Sequence, residues 1–76
     1  MSTLHLQARQ APRIEVLRAS EPGGRPVFRL DYVGQDEAGQ AFRIVVSDHY
    51  DLDEAIGHAS RWRAQGVAID DSAVRT

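Results

Sequence analysis

Two stretches of alternating side chains around one glycine-bracketed turn constrain this chain more than any other feature. In residues 27–33, Phe28, Leu30 and Tyr32 fall on one side, with Val27, Arg29, Asp31 and Val33 on the other. In residues 41–47, Phe42, Ile44 and Val46 alternate with Ala41, Arg43, Val45 and Ser47. Gly34-Gln35-Asp36-Glu37-Ala38-Gly39 lies between them. A period of two is that of a strand, and two such runs around a turn make an antiparallel hairpin. Opposed residues share a face, so paired numbers sum to an even value. Tyr32 opposite Phe42 pairs Leu30 with Ile44 and Phe28 with Val46, and sets Asp31 across from Arg43 as an ion pair. A two-residue slip would oppose Arg29 and Arg43, so the first register is expected.

The flanking segments extend this hairpin. Residues 14–18, Ile-Glu-Val-Leu-Arg, read as a preceding strand that stops at Ser20-Glu21-Pro22-Gly23-Gly24-Arg25-Pro26, a strong turn signal. After the hairpin, Asp51 reads as an N-cap, with Glu54 three residues on completing a capping box. Leu52, Ala55, Ile56 and Ala59 form an apolar stripe flanked by Trp62. Arg61 and Arg63 suit the last turn, and Gly66 the left-handed residue beyond it. Residues 67–69, Val-Ala-Ile, suit a short additional strand. Residues 1–12 read as a flexible arm or an edge strand, and residues 70–76 as a frayed tail.

The expected fold is therefore α+β: a three-stranded antiparallel sheet, with a possible fourth edge strand, packed against one C-terminal helix in β-β-β-α order. Residues 13–69 form the single domain. Its expected core is Ile14, Val16, Phe28, Leu30, Tyr32, Phe42, Ile44, Val46, Leu52, Ile56 and Ala59.

Composition narrows the function. Seventy-six residues allow one domain with a modest core, which favours an open surface over an internal cavity. A net charge of −2 supplies no field that would draw nucleic acid or an anionic membrane. All nine basic residues are Arg, a bias that GC-rich coding explains as well as guanidinium chemistry does. The absence of Cys excludes disulfides and thiolate chemistry. Without a signal-like or membrane-length apolar run, the expected location is the cytoplasm.

The dense cluster Ser47-Asp48-His49-Tyr50-Asp51-Leu52-Asp53-Glu54 lacks the Gly and the alternating oxygens of a calcium loop. Asp51 and Glu54 are explained by capping, and His49 has no third metal partner within sequence reach. The histidines His5, His49 and His58 lie far apart, and no nucleophile motif is present. Neither catalytic residues, nor a metal, nor a cofactor is therefore expected. On the helix, Glu54, His58 and Trp62 make one i, i+4, i+8 strip. Trp62 is either an interface anchor or the rim of the core. Gly57, Ser60 and Ala64 put small residues on the opposite flank, which suits either the close approach of a second backbone or drift at an exposed position.

The sheet face turned away from the helix mixes Leu17, Val27, Val33 and Val45 with Glu15, Arg29, Asp31 and Arg43. Partly apolar and rimmed by Arg, it suits a partner surface unless the N-terminal segment covers it. The order of three strands followed by a strand–loop–helix, from Val46 through Asp53-Glu54-Ala55-Ile56, resembles the AP2-type DNA-binding domains of plant factors and phage integrases. That resemblance implies major-groove binding by the sheet, with Arg29 and Arg43 as the matching residues. Asp31 between them, Trp on the helix and the acidic balance depart from the pattern. The leading expectation is a non-enzymatic protein-binding module, contacting a protein partner or a second copy through Val27, Arg29, Arg43, Val45 and Trp62. Sheet-mediated DNA binding is the alternative.

Overall fold

The computed structural model describes residues 11–75, and the alternation holds along the second strand and along the third as far as Val45. Strand β1 runs Arg13–Ser20, β2 Pro26–Gln35 and β3 Ala41–His49; helix α1 spans Leu52–Arg63, and a short β4 covers Ala68–Asp70. The sheet order is β3-β2-β1-β4. The first three strands are antiparallel, and β4 lies parallel to β1, making a mixed four-stranded α+β sheet in β-β-β-α-β order. The arm expected over residues 1–12 falls almost wholly outside the described residues.

Each connection has a local cause. Between β1 and β2 the backbone closes through Glu21, whose N–H donates to the Arg25 carbonyl at 3.0 Å. Between β2 and β3, Asp36 Oδ1 accepts from the backbone N–H groups of Ala38 and Gln40, both at 2.9 Å. That side-chain turn ties the loop from within.

Helix α1 starts where the capping signal puts it. Asp51 is extended and its side chain accepts from the Asp53 N–H at 3.1 Å. Such a cap is worth about 1 kcal/mol. The expected reciprocal bond from Glu54 gives way to a different partner, because the Glu54 carboxylate turns to His49. At the other end Gly66 adopts φ 88°, and Val67 N–H donates back to the Trp62 carbonyl at 3.1 Å. A left-handed residue there costs Gly nothing sterically.

The core forms where α1 crosses β1 and β2. Ile14, Val16 and Leu30 are fully buried against Ala55 and Ala59, whose small side chains let the helix lie close to the sheet. Phe28, Tyr32, Val46, Leu52, Ile56, Trp62, Val67 and Ile69 pack around them. Burying each large aliphatic side chain contributes about 1.5–3 kcal/mol.

Three expectations are corrected. First, the hairpin register moves by two: Tyr32 faces Ile44, Gly34 faces Phe42 and Val33 faces Arg43. Gly34 admits this, since a Cβ there would meet the Phe42 ring at 3.2 Å and that of Tyr32 at 3.1 Å. The pairing then shifts between Leu30 and Asp31, so that Asp31 faces Val45 while Leu30 faces Ser47. Val46 is the extra residue of a β-bulge.

Second, Phe42 and Ile44 do not enter the core. They lie on the helix side of the sheet, but no residue of β3 is buried. Of the apolar side chains of β3 only Val46 packs against the core cluster beneath α1.

Third, the part of the expected tail that is described, residues 70–75, is not frayed. Ile14 pairs with Ile69 and Glu15 with Asp70. Asp70 Oδ1 then accepts from the Ser72 N–H and hydroxyl, turning the chain into a 3₁₀ turn over Ser72–Val74. That turn buries Val74, which is 7% exposed, against the core.

Candidate functional site

Arg13, Glu15, Arg29, Asp31 and Arg43 form one connected network on the second sheet face. Glu15 and Asp31 are paired across β1 and β2. Arg43 Nη1 donates to both, at 2.9 Å to Glu15 Oε1 and 2.9 Å to Asp31 Oδ2. Arg13 adds two hydrogen bonds to Glu15 Oε2, at 2.9 and 2.6 Å. Arg29 Nε approaches Asp31 Oδ1 at 3.3 Å, but both atoms are buried without a hydrogen-bond partner, so this contact is electrostatic only. Asp31 is 1% exposed, a buried carboxylate held between two arginines. Burial would raise the Glu15 carboxyl, but the hydrogen bonds from Arg13 and Arg43 outweigh it and hold it below its ordinary value.

The structure separates the five residues expected to form a partner surface into four kinds. Val27 is 5% exposed and withdrawn from the surface. Arg29 and Arg43 are partly exposed but engaged with carboxylates. Val45 is 55% exposed. Trp62 is half-buried at the rim of the core, its ring tilted against Tyr32 with centroids 5.6 Å apart.

The most exposed apolar side chains cluster on β3, an edge strand with no neighbour on its outer side among the described residues. Ile44 is 56% and Phe42 38% exposed on the helix side, and Val45 stands on the other. Phe42 is steadied by stacking on Tyr32, with centroids 6.1 Å apart. Alternation along the segment was legible in the sequence, but its position at the edge was not.

Sequence reasoning also missed a polar cluster at the end of β3. The bulge brings Ser47 and His49 to the helix side, under α1. His49 Nδ1 lies 3.2 Å from Glu54 Oε1, while its Nε2 lies 2.9 Å from Ser47 Oγ and 3.2 Å from His58 Nδ1. In the neutral imidazole, a proton on Nδ1 facing the carboxylate leaves the Nε2 lone pair toward Ser47 and His58. The Glu54–His58 strip was readable at i, i+4; the convergence of His49 on it depends on how the chain turns at Tyr50. A serine, an imidazole and a carboxylate in line resemble a nucleophile relay. Here, however, His58 competes for the base nitrogen, and Glu54 is largely exposed.

Among the described residues no helix is long and apolar enough to cross a membrane. The chain matches no family model, no curated protein and no solved structure.

Proposed function

We propose that this chain is a small non-enzymatic protein-binding module that receives an extended segment of another protein, a partner or a second copy, along the outer edge of β3. The observation that carries this reading is the pair Ile44 and Val45, each more than half exposed on opposite faces of one edge strand. An edge strand presents a row of unpaired N–H and C=O groups, and native proteins usually blunt it with Lys, Pro or shortness. β3 has nine residues and no Pro, and over Ala41–Val45, before its bulge, only Arg43 is charged. An incoming strand gains main-chain hydrogen bonds there, while Phe42 and Ile44 grip it on one face and Arg43 and Val45 on the other.

This reading keeps Arg43 and Val45 from the expected surface, places Arg29 at its margin, and assigns Val27 and Trp62 to packing. The DNA-binding alternative is weaker, because Arg29 and Arg43 direct their charge to Asp31 and Glu15 and little remains for phosphates. The test is capture by the immobilised chain with Ile44→Glu and Val45→Glu. Both side chains are exposed, so both variants should stay folded and lose the bound protein. Unfolding of the variants, or undiminished capture, contradicts the reading.

A further inference from the structure

We propose that the segment received along β3 is β3 of a second copy of this chain, paired antiparallel about a two-fold axis at Val45. The inference rests on the reading of β3 as a docking edge and deepens it by naming the occupant.

The bulge decides which side chains share a face. Up to Val45 the odd-numbered residues of β3 lie on the second face, Arg43 opposite Val33 and Val45 opposite Asp31. Beyond the extra residue Val46 the parity inverts. Asp48, opposite Arg29, therefore stands on that same second face, while Ser47 joins Leu30 on the helix side. Along the free edge the second face reads Arg43, Val45, Asp48, a cation and a carboxylate placed evenly about one valine.

Such a row is complementary to its own reverse. Opposed residues of an antiparallel pair share a face. With Val45 opposite the partner's Val45, Arg43 meets the partner's Asp48 and Asp48 meets the partner's Arg43. On the helix side Ile44 meets the partner's Ser47 and is withdrawn from water. Other registers lose this match. A dyad at Arg43 opposes two guanidinium groups, one at Ile44 sets Asp48 against Ala41, and one at Ser47 sets Asp48 against Val45.

The charges are available for the contact. Arg43 reaches Glu15 and Asp31 through Nη1, which leaves Nε and Nη2 to donate to a further carboxylate. Asp48 is exposed and has no ion-pair partner among the described residues. Exposed ion pairs add little affinity, but opposed like charges reject a register, so these two fix the alignment. Main-chain hydrogen bonds and the burial of Ile44 and Val45 hold it. The contact is isologous and closes at two copies. It joins two sheets into one, whose outer edges are the β4 strands of only three residues each. Shortness is a usual protection of an edge.

The experiment uses the full chain, which has no Cys, so that an introduced one reports a single contact. Sedimentation equilibrium should show a concentration-dependent dimer. Under mild oxidation Val45→Cys should become a covalent dimer, because a residue on the dyad lies within about 6 Å of its own image. Ala41→Cys, about 25 Å from its image in this register, should not. Asp48→Arg changes an exposed side chain, keeps the fold and should raise the dimer dissociation constant about tenfold. Ala41→Cys crosslinking as readily as Val45→Cys, or an Asp48→Arg dimer as tight as the parent, overturns the proposal. A monomer that captures another protein, and loses it in Ile44→Glu, overturns the proposal and leaves the docking edge standing. A monomer that captures nothing overturns both.

Discussion

Arg43 Nη1 lies 2.9 Å from Asp31 Oδ2 although the two are not cross-strand partners; Asp31 faces Val45, and Arg43 faces Val33. The ion pair is diagonal, made possible by the reach of the guanidinium across one residue pair. It is also asymmetric, since Asp31 is buried while Arg43 is half in solvent. Removing one partner of a buried charge strands the other, whereas replacing the buried charge itself by an apolar residue is often neutral. Arg43→Ala should therefore destabilise clearly, and Asp31→Val combined with it should recover most of the loss. Chemical denaturation of the two single variants and the double variant checks this; simple additivity would mean that the pair is not coupled.

The same network sets an acid response. Glu15 holds its proton less well in the folded chain than its ordinary value of 4.5, so the folded state gains from its ionisation. That contribution is complete above the unfolded value and is lost as pH falls through the lower folded one. Asp70, lowered by its hydrogen bonds from Ser72, acts in the same direction. Between about pH 5 and pH 3 the parent should lose stability more steeply than Glu15→Gln. Parallel curves would remove Glu15 from the account.

At the C-terminus, deleting residues 71–76 should lower stability by about 1.5–3 kcal/mol, the worth of one buried aliphatic side chain. The cause is Val74, which packs into the core cluster. An unchanged thermal midpoint would restore the reading of this segment as a tail.

Gly57 lies within α1 with nothing within 4 Å of the position its Cβ would take. Gly57→Ala should then stabilise by about 1 kcal/mol without altering protein capture. If capture is lost instead, the small flank of the helix is itself an interface.

How far the sequence reached depends on the range of each signal. The helix was legible with its cap because Asp51, the Leu52–Ala59 stripe and Gly66 act over single turns. The hairpin was legible as an object, but not its register. Alternation is satisfied equally whether Tyr32 meets Phe42 or Ile44, and the bulge at Val46 carries no turn residue to announce it. The core was overdrawn for a related reason: apolar alternation marks Phe42 and Ile44 as strand residues, but only tertiary placement says whether the helix reaches them. The burial of Val74 and the meeting of His49 with His58 are likewise long-range outcomes. Of the expected contact residues, Val45 and Arg43 kept their exposure because they stand on β3, while Val27 lost it one strand further in.

The most direct test of the β3 edge is site-specific photo-crosslinking, with the reactive side chain placed at position 44 and, as a control, at position 61 on the exposed side of α1. The account predicts a defined protein adduct from position 44, either to a second copy or to one partner, and none from position 61. An adduct of equal yield from position 61, or the absence of any from position 44, would contradict it.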